Sequence, residues 1–168
     1  EIGHHIGGSP KLGSLFSRWA SNEGQSDYWG TLKCLRRVWQ NDDNVSIVSL
    51  MDADPYAIDQ CESMFFNDNE IAICIRSAMA GQSLAFLFQD LRGESELARF
   101  DTPDLTQVAA TDNSHPASQC RMDTYFQGSL CDEDFNTDVD QKRTSTGTCY
   151  RKGGHLTGLR PLCWYKPN

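Results

Sequence analysis

The stretch NEIAICIRSAMAGQSLAFLFQDLR, residues 69–92, decides how the chain is read. Ile71, Ile75, Ala78, Met79, Ala85, Phe86 and Phe88 recur at the three- and four-residue intervals that line one face of a helix. The segment Asn69–Arg92 is therefore expected to form one long, mostly buried helix, with a bend at Gly81. Arg76, Ser77, Gly81, Gln82 and Ser83 break the apolar run below the roughly 18 residues that a membrane span uses, so no span is expected.

Working outward, Asp54-Pro55 reads as a cap followed by a first-turn proline, opening a helix that runs to about Phe66. Tyr28, Trp29, Leu32, Leu35, Val38 and Trp39 mark another helix, capped by Ser21 or Asn22. Between them Val45–Leu50 is the one convincing strand pattern. Residues 93–117 read as loop, and Ser118–Leu130 as a shorter helix. Residues 1–6 read as the end of a helix stopped by Gly7-Gly8-Ser9-Pro10, followed by a polar loop. The expected fold class is mainly α: a helical subdomain over 1–131, then a loop-rich, disulfide-pinned tail of the same domain over 132–168.

Hydrophobic residues make up 39% of the chain, enough for a core, and the net charge is −8 with a pI near 4.8. An acidic chain lacks the basic face that phosphate tracking needs, so nucleic acid is not an expected partner, and neither is anionic lipid. Seven cysteines, Cys34, Cys61, Cys74, Cys120, Cys131, Cys149 and Cys163, contain no CxxC pair. Their wide spacing favours disulfides in an oxidising compartment over free thiols in a cytosolic protein. The odd count leaves one unpaired and the connectivity open; the local pairs Cys120/Cys131 and Cys149/Cys163 are the first expectation, with at least two disulfides in all.

The polar residues near the start carry chemistry. Glu1 and His4 lie three apart on one helical face, as the Glu and second His of an HExxH zinc motif do; the first His would stand immediately before Glu1. The chain thus reads as a piece of something longer, beginning inside a working motif. The segment Ser21-Asn22-Glu23-Gly24-Gln25-Ser26-Asp27 resembles the Asn-Glu segment that supplies the third zinc ligand in gluzincins, the thermolysin- and aminopeptidase-like metallopeptidases. The 18 residues between His4 and Glu23 resemble the aminopeptidase branch, and Ser26-Asp27 the thermolysin branch.

This resemblance covers residues 1–29 and implies a Zn2+ enzyme that hydrolyses peptide or protein substrates, of which the chain is the helical C-terminal part. It implies His4 and Glu23 as metal ligands, Glu1 as the base that takes a proton from the attacking water, and Asp27 as the group holding a ligating His by its other nitrogen. Gluzincins place a His or Tyr opposite the metal for the oxyanion, and His115, oriented by Asp112, is the first candidate here, with Tyr125 second. Arg121 is the candidate to polarise a substrate carbonyl. His5 reads as a surface or packing residue, with Glu1 and His5, four apart, as a rival ligand pair, and His155 reads as solvated. The acidic runs 132–134 and 138–140 lack EF-hand order, and Asn44-Val45-Ser46 fits a glycosylation sequon. The expected molecule is a secreted or periplasmic monomer. The rival from another class is a disulfide-stabilised helical binding module, or a catalytically dead relative of such enzymes.

Overall fold

The computed structural model describes residues 1–14 and 17–167. In chain order these form α1 (Ile2–Ile6), β1 (Lys11–Ser14), β2 (Ser17–Ser21), α2 (Glu23–Trp29), α3 (Leu35–Trp39), α4 (Asn44–Ser49), α5 (Pro55–Met64), α6 (Asp68–Arg92) and α7 (Ser118–Leu130). A π-helical turn, Gly30–Cys34, joins α2 to α3 without a break, and a 3-10 turn spans Arg151–Gly153. The fold class is mainly α. Helix starts follow the capping chemistry: the side chains of Asn22, Asp54 and Asn67 accept the first free backbone N–H groups of α2, α5 and α6. Gly93, at φ 64°, closes α6 in the left-handed region that a glycine enters without strain.

Two elements differ from the sequence reading. Residues 11–21, expected as loop, hold the antiparallel pair β1–β2, with Lys11 opposite Ser21 and Leu12 opposite Ala20. Val45–Leu50, expected as strand, lies in α4, whose Asp43 cap accepts from Ser46 N–H at 3.2 Å. A strand there would need a neighbouring strand for its backbone groups, whereas the short helix bonds locally, through its Asp43 cap and through Ile47 N–H to the Asp43 carbonyl. Asn44 of the sequon is fully buried, donating to Trp39 and Asp42 carbonyls and to Asn69, so it is not presented to solvent.

The main core lies between α5, α6 and α7, where Phe65, Ile75, Ala78, Phe100, Met122, Phe126 and Leu130 pack together. Gly81, inside the unbroken helix α6, lets α7 approach, since a Cβ there would lie 2.3 Å from the Tyr125 Cβ. Gly128 does the same on the other side of α7, where a Cβ would lie 2.2 Å from Thr31 Oγ1. α7 is thus wedged between α6 and the π-helical turn, and almost all of its residues are buried. α6 departs from expectation in two ways. Phe86 is exposed, as are Leu84, Leu87 and Leu91. As a helix it is also long and apolar enough, by length and composition, to cross a membrane, and less than half of the relevant window is buried within the fold.

Three disulfides tie the structure, as an oxidising environment permits: Cys61–Cys74, Cys120–Cys163 and Cys131–Cys149, with Cys34 free. The local pairs Cys120/Cys131 and Cys149/Cys163 are not formed. Cys120 lies in the first turn of α7 and Cys131 just past its end, so the helix holds them roughly 16 Å apart, far beyond the reach of a disulfide. Each instead captures a cysteine from the segment after Cys131 and lashes it to one end of α7.

Candidate functional site

The site forms where α1, the N-terminus of α2, the loop before α7 and α7 itself converge. His4 stands on α1 with its Nδ1 2.7 Å from the Ser21 carbonyl and 3.1 Å from Ser26 Oγ. A carbonyl only accepts, so Nδ1 carries the proton in that contact. Nε2 then faces Glu23 Oε1 at 3.0 Å. A proton shared between the two atoms, or a metal ion held by both, would satisfy that arrangement. His115 approaches the same oxygen from the opposite loop, with Nε2 at 3.3 Å and a side chain 64% exposed.

The loop that carries His115 is held in place from two sides. Asn22 caps α2 through its Oδ1 and uses its amide nitrogen to donate to the Asp112 carbonyl and to Asn113. Arg92, in the last turn of α6, donates to the Pro116 carbonyl at 2.6 Å and the His115 carbonyl at 3.4 Å. Asp112 does not orient the His115 ring as expected, because its carboxylate accepts from Ser114 N–H and Oγ.

One turn further along α2, Asp27 meets α7. Arg121 grips it through two bonds of 2.8 Å, and Tyr125 donates its hydroxyl proton to Asp27 at 2.9 Å while accepting from Arg121 at 3.1 Å. The guanidinium also lies 3.9 Å from the Phe88 ring centroid and 3.6 Å from Glu23 Oε2. Burial raises the Asp27 carboxyl, and the Arg121 bonds, the guanidinium charge and the Tyr125 bond pull it back. Burial and then the Asp27 charge push the Tyr125 phenol well above its usual range, so it stays protonated.

These contacts show where the side chains of three candidates are engaged. Asp27 does not hold His4, whose Nδ1 belongs to Ser21 and Ser26. A residue four beyond Glu23 shares its face but sits one turn, roughly 5 Å, farther along, where α7 rather than α1 lies. Tyr125 already spends its proton on Asp27, and Arg121 is the counter-ion of Asp27 rather than an open cation.

All seven candidates, Glu1, His4, Glu23, Asp27, His115, Arg121 and Tyr125, line one cavity of about 770 Å³. Apolar side chains, among them Trp29, Leu84 and Phe88, make up its other walls. Cys34 and the π-helical turn, neither marked by any sequence signal, border it as well. Elsewhere, His5 packs against Trp19 as expected, while His155, expected in solvent, is mostly buried beside Asp132 and Glu133. Among the described residues, the groups of three close metal-type donors are Asp104/Cys120/Cys163 and Cys131/Asp132/Cys149, and disulfide sulfurs are not thiolate ligands. No third donor among the described residues completes such a group with His4 and Glu23. No protein-family model, curated protein or solved structure matches the chain.

Proposed function

We propose that this chain is part of a zinc-dependent metallopeptidase of gluzincin type, acting on peptide or protein substrates in a secreted or periplasmic setting. The observation that carries the reading is the facing pair: His4 Nε2 and Glu23 Oε1, 3.0 Å apart, with the His4 proton fixed on the other nitrogen. Two ligands of one tetrahedral ion at about 2.0–2.2 Å each stand roughly 3.3–3.6 Å apart, so a shift of about half an ångström would seat the ion. Zinc bound between them would supply a Lewis acid that polarises a carbonyl and acidifies water.

The chain's own groups would do the rest. Glu1 borders the same cavity and would take the proton from the attacking water and hand it to the leaving amine. His115, exposed and beside Glu23, would donate to the developing oxyanion; the Tyr125 hydroxyl is less suited, being committed to Asp27. Arg121 and Asp27 would hold Glu23 and α7 in register rather than touch substrate.

A second reading, a helical binding module, is favoured by one observation: among the described residues no third donor lies close to both His4 and Glu23, His115 approaching Glu23 alone. In that case the pair is an ion pair of imidazolium and carboxylate.

Zinc titration against a chromophoric chelator separates the two. With two ligands, binding should be weaker than the ~10 kcal/mol or more of complete sites, yet measurable, and lost in His4→Ala and Glu23→Gln. In the longest natural form of the chain, Glu1→Gln should keep the metal and lose peptide hydrolysis. Zinc uptake indifferent to His4 and Glu23 would remove the metallopeptidase reading.

A further inference from the structure

A second cavity, of about 510 Å³, shares no lining residue with the first. Its wall carries three cations, Lys142, Arg143 and Lys166, and the hydroxyl residues Ser9, Thr111, Thr144 and Ser145. None of the chain's 23 acidic residues lines it, although three of its 15 lysines and arginines do. On a molecule of net charge −8, such a concentration runs against the field of the whole protein.

The cations differ in how far they are already neutralised. Arg143 is bound to Asp140, whose carboxylate also accepts the backbone N–H groups of Lys142 and Arg143. The ammonium groups of Lys142 and Lys166 have no carboxylate partner among the described residues. Thr111 Oγ1 accepts from Lys166 N–H, which leaves its own proton to donate. Behind the wall stands Arg160, 95% buried. It donates to the Thr144 carbonyl at 2.9 Å, and its guanidinium carbon lies 5.1 Å from the Tyr165 ring centroid; Thr144 and Tyr165 both line the cavity. Its Nη2 is buried with no hydrogen-bond partner, one of four such side-chain atoms among the described residues.

We infer that this cavity binds a tetrahedral oxyanion, the phosphate group of a small phosphorylated ligand or inorganic phosphate. Two free ammonium groups and several hydroxyl donors around one opening suit three acceptor oxygens carrying about two negative charges. The buried guanidinium adds positive potential from behind without being consumed by the ligand. This site is independent of the zinc reading, since the two cavities share no residue.

The test is calorimetry and NMR at a fixed ionic strength of roughly 0.15 M, titrating inorganic phosphate, glycerol phosphate and chloride into the full chain. Saturable phosphate binding is expected, with amide shifts confined to Ser9, Thr111, Thr144, Ser145 and their neighbours. Lys142→Ala/Lys166→Ala should weaken it at least about tenfold, roughly 1.4 kcal/mol, and Arg143→Ala should weaken it less. Arg151→Ala, a basic residue outside the cavity, should leave it unchanged. Glycerol phosphate binding more tightly than phosphate assigns an organic phosphate ligand; the reverse order assigns the free ion. Both lysines are exposed, so the double variant should fold, and its far-UV spectrum verifies that. Phosphate binding no better than chloride, or unaffected in the folded double variant, overturns the proposal.

Discussion

The helical block and the segment after Cys131 are stabilised by different means. Between α5, α6 and α7 the chain buries a continuous apolar core, from Ala57 and Phe65 through Ile75 and Ala78 to Phe126 and Leu130. The segment 132–167 adds few apolar side chains to any core; Trp164 and Leu159 are the main ones. It is held instead by two of the three disulfides and by cations that reach its backbone. Lys33 donates to the Asp134 carbonyl, Arg37 to the Phe135 carbonyl, and the segment's own Arg160 to the Thr144 carbonyl. Non-directional burial is thus replaced by point contacts, each of which fixes a loop that has no helix or sheet to satisfy its carbonyls.

The sharpest way to break this contrast is to cut one tether in each region. Cys120→Ser/Cys163→Ser opens a link across 43 residues and should cost about 4 kcal/mol, against about 3 kcal/mol for Cys61→Ser/Cys74→Ser across 13. The first variant should expose residues 132–167 to proteolysis while far-UV helicity persists. Loss of helix and tail together, in one transition, would show that the two regions fold as a unit.

A smaller effect is expected at the seam between α2 and α7. Arg121→Met leaves Asp27 buried without its cation and should cost about 3 kcal/mol in urea unfolding, at the low end for such a break because Tyr125 still donates to Asp27. Adding Asp27→Asn should restore much of the loss. If the second change instead adds to the first, the pair is not coupled and the seam is held by packing.

Smaller again is a pH effect confined to the helical side. Burial pushes the Asp123 carboxyl from 3.8 up to about 6, against bonds from Asp104 N–H and Gln119 that tie the 99–106 loop to α7. The folded pKa exceeds the unfolded one, so this contribution is present below 3.8 and disappears as the pH rises through about 6. Melting curves across that window should show Asp123→Asn gaining on the wild type by roughly 3 kcal/mol as pH rises. A constant difference across the window would remove Asp123 as the titrating group. The least effect, within about 0.5 kcal/mol, is expected for Phe66→Ser, whose ring is 98% exposed between α5 and α6.

Legibility followed the same division. Helix-period apolar spacing located α6 closely and the Asp54 cap located α5, because both signals are local: Asp54 sits two residues from the Tyr56 N–H that it accepts. The β1–β2 pair was not legible, since its short strands carry polar residues and owe their pairing to the chain around them. Val45–Leu50 misled because a β-branched alternation six residues long fits either a lone strand or a single helical turn. At the site, the Glu–His–Glu spacing pointed to a cavity that the fold does build around those residues, but the partners of Asp27 came from α7, 94 residues away in the case of Arg121.

By itself, then, the sequence determined what short-range physics decides: helical period, capping at Asn22 and Asp54, and an odd cysteine. Only the tertiary structure decided which cysteines pair, which carboxylate owns which cation, and that scattered residues such as Ser9, Thr111, Lys142 and Lys166 share an opening. The reason is distance along the chain. A cap or a helical face is set by neighbours within a few residues, whereas a disulfide across α7 or a buried ion pair depends on how rigid helices stack. That stacking hangs on close approaches, such as α7 against Gly81 and Thr31, that leave no periodic trace.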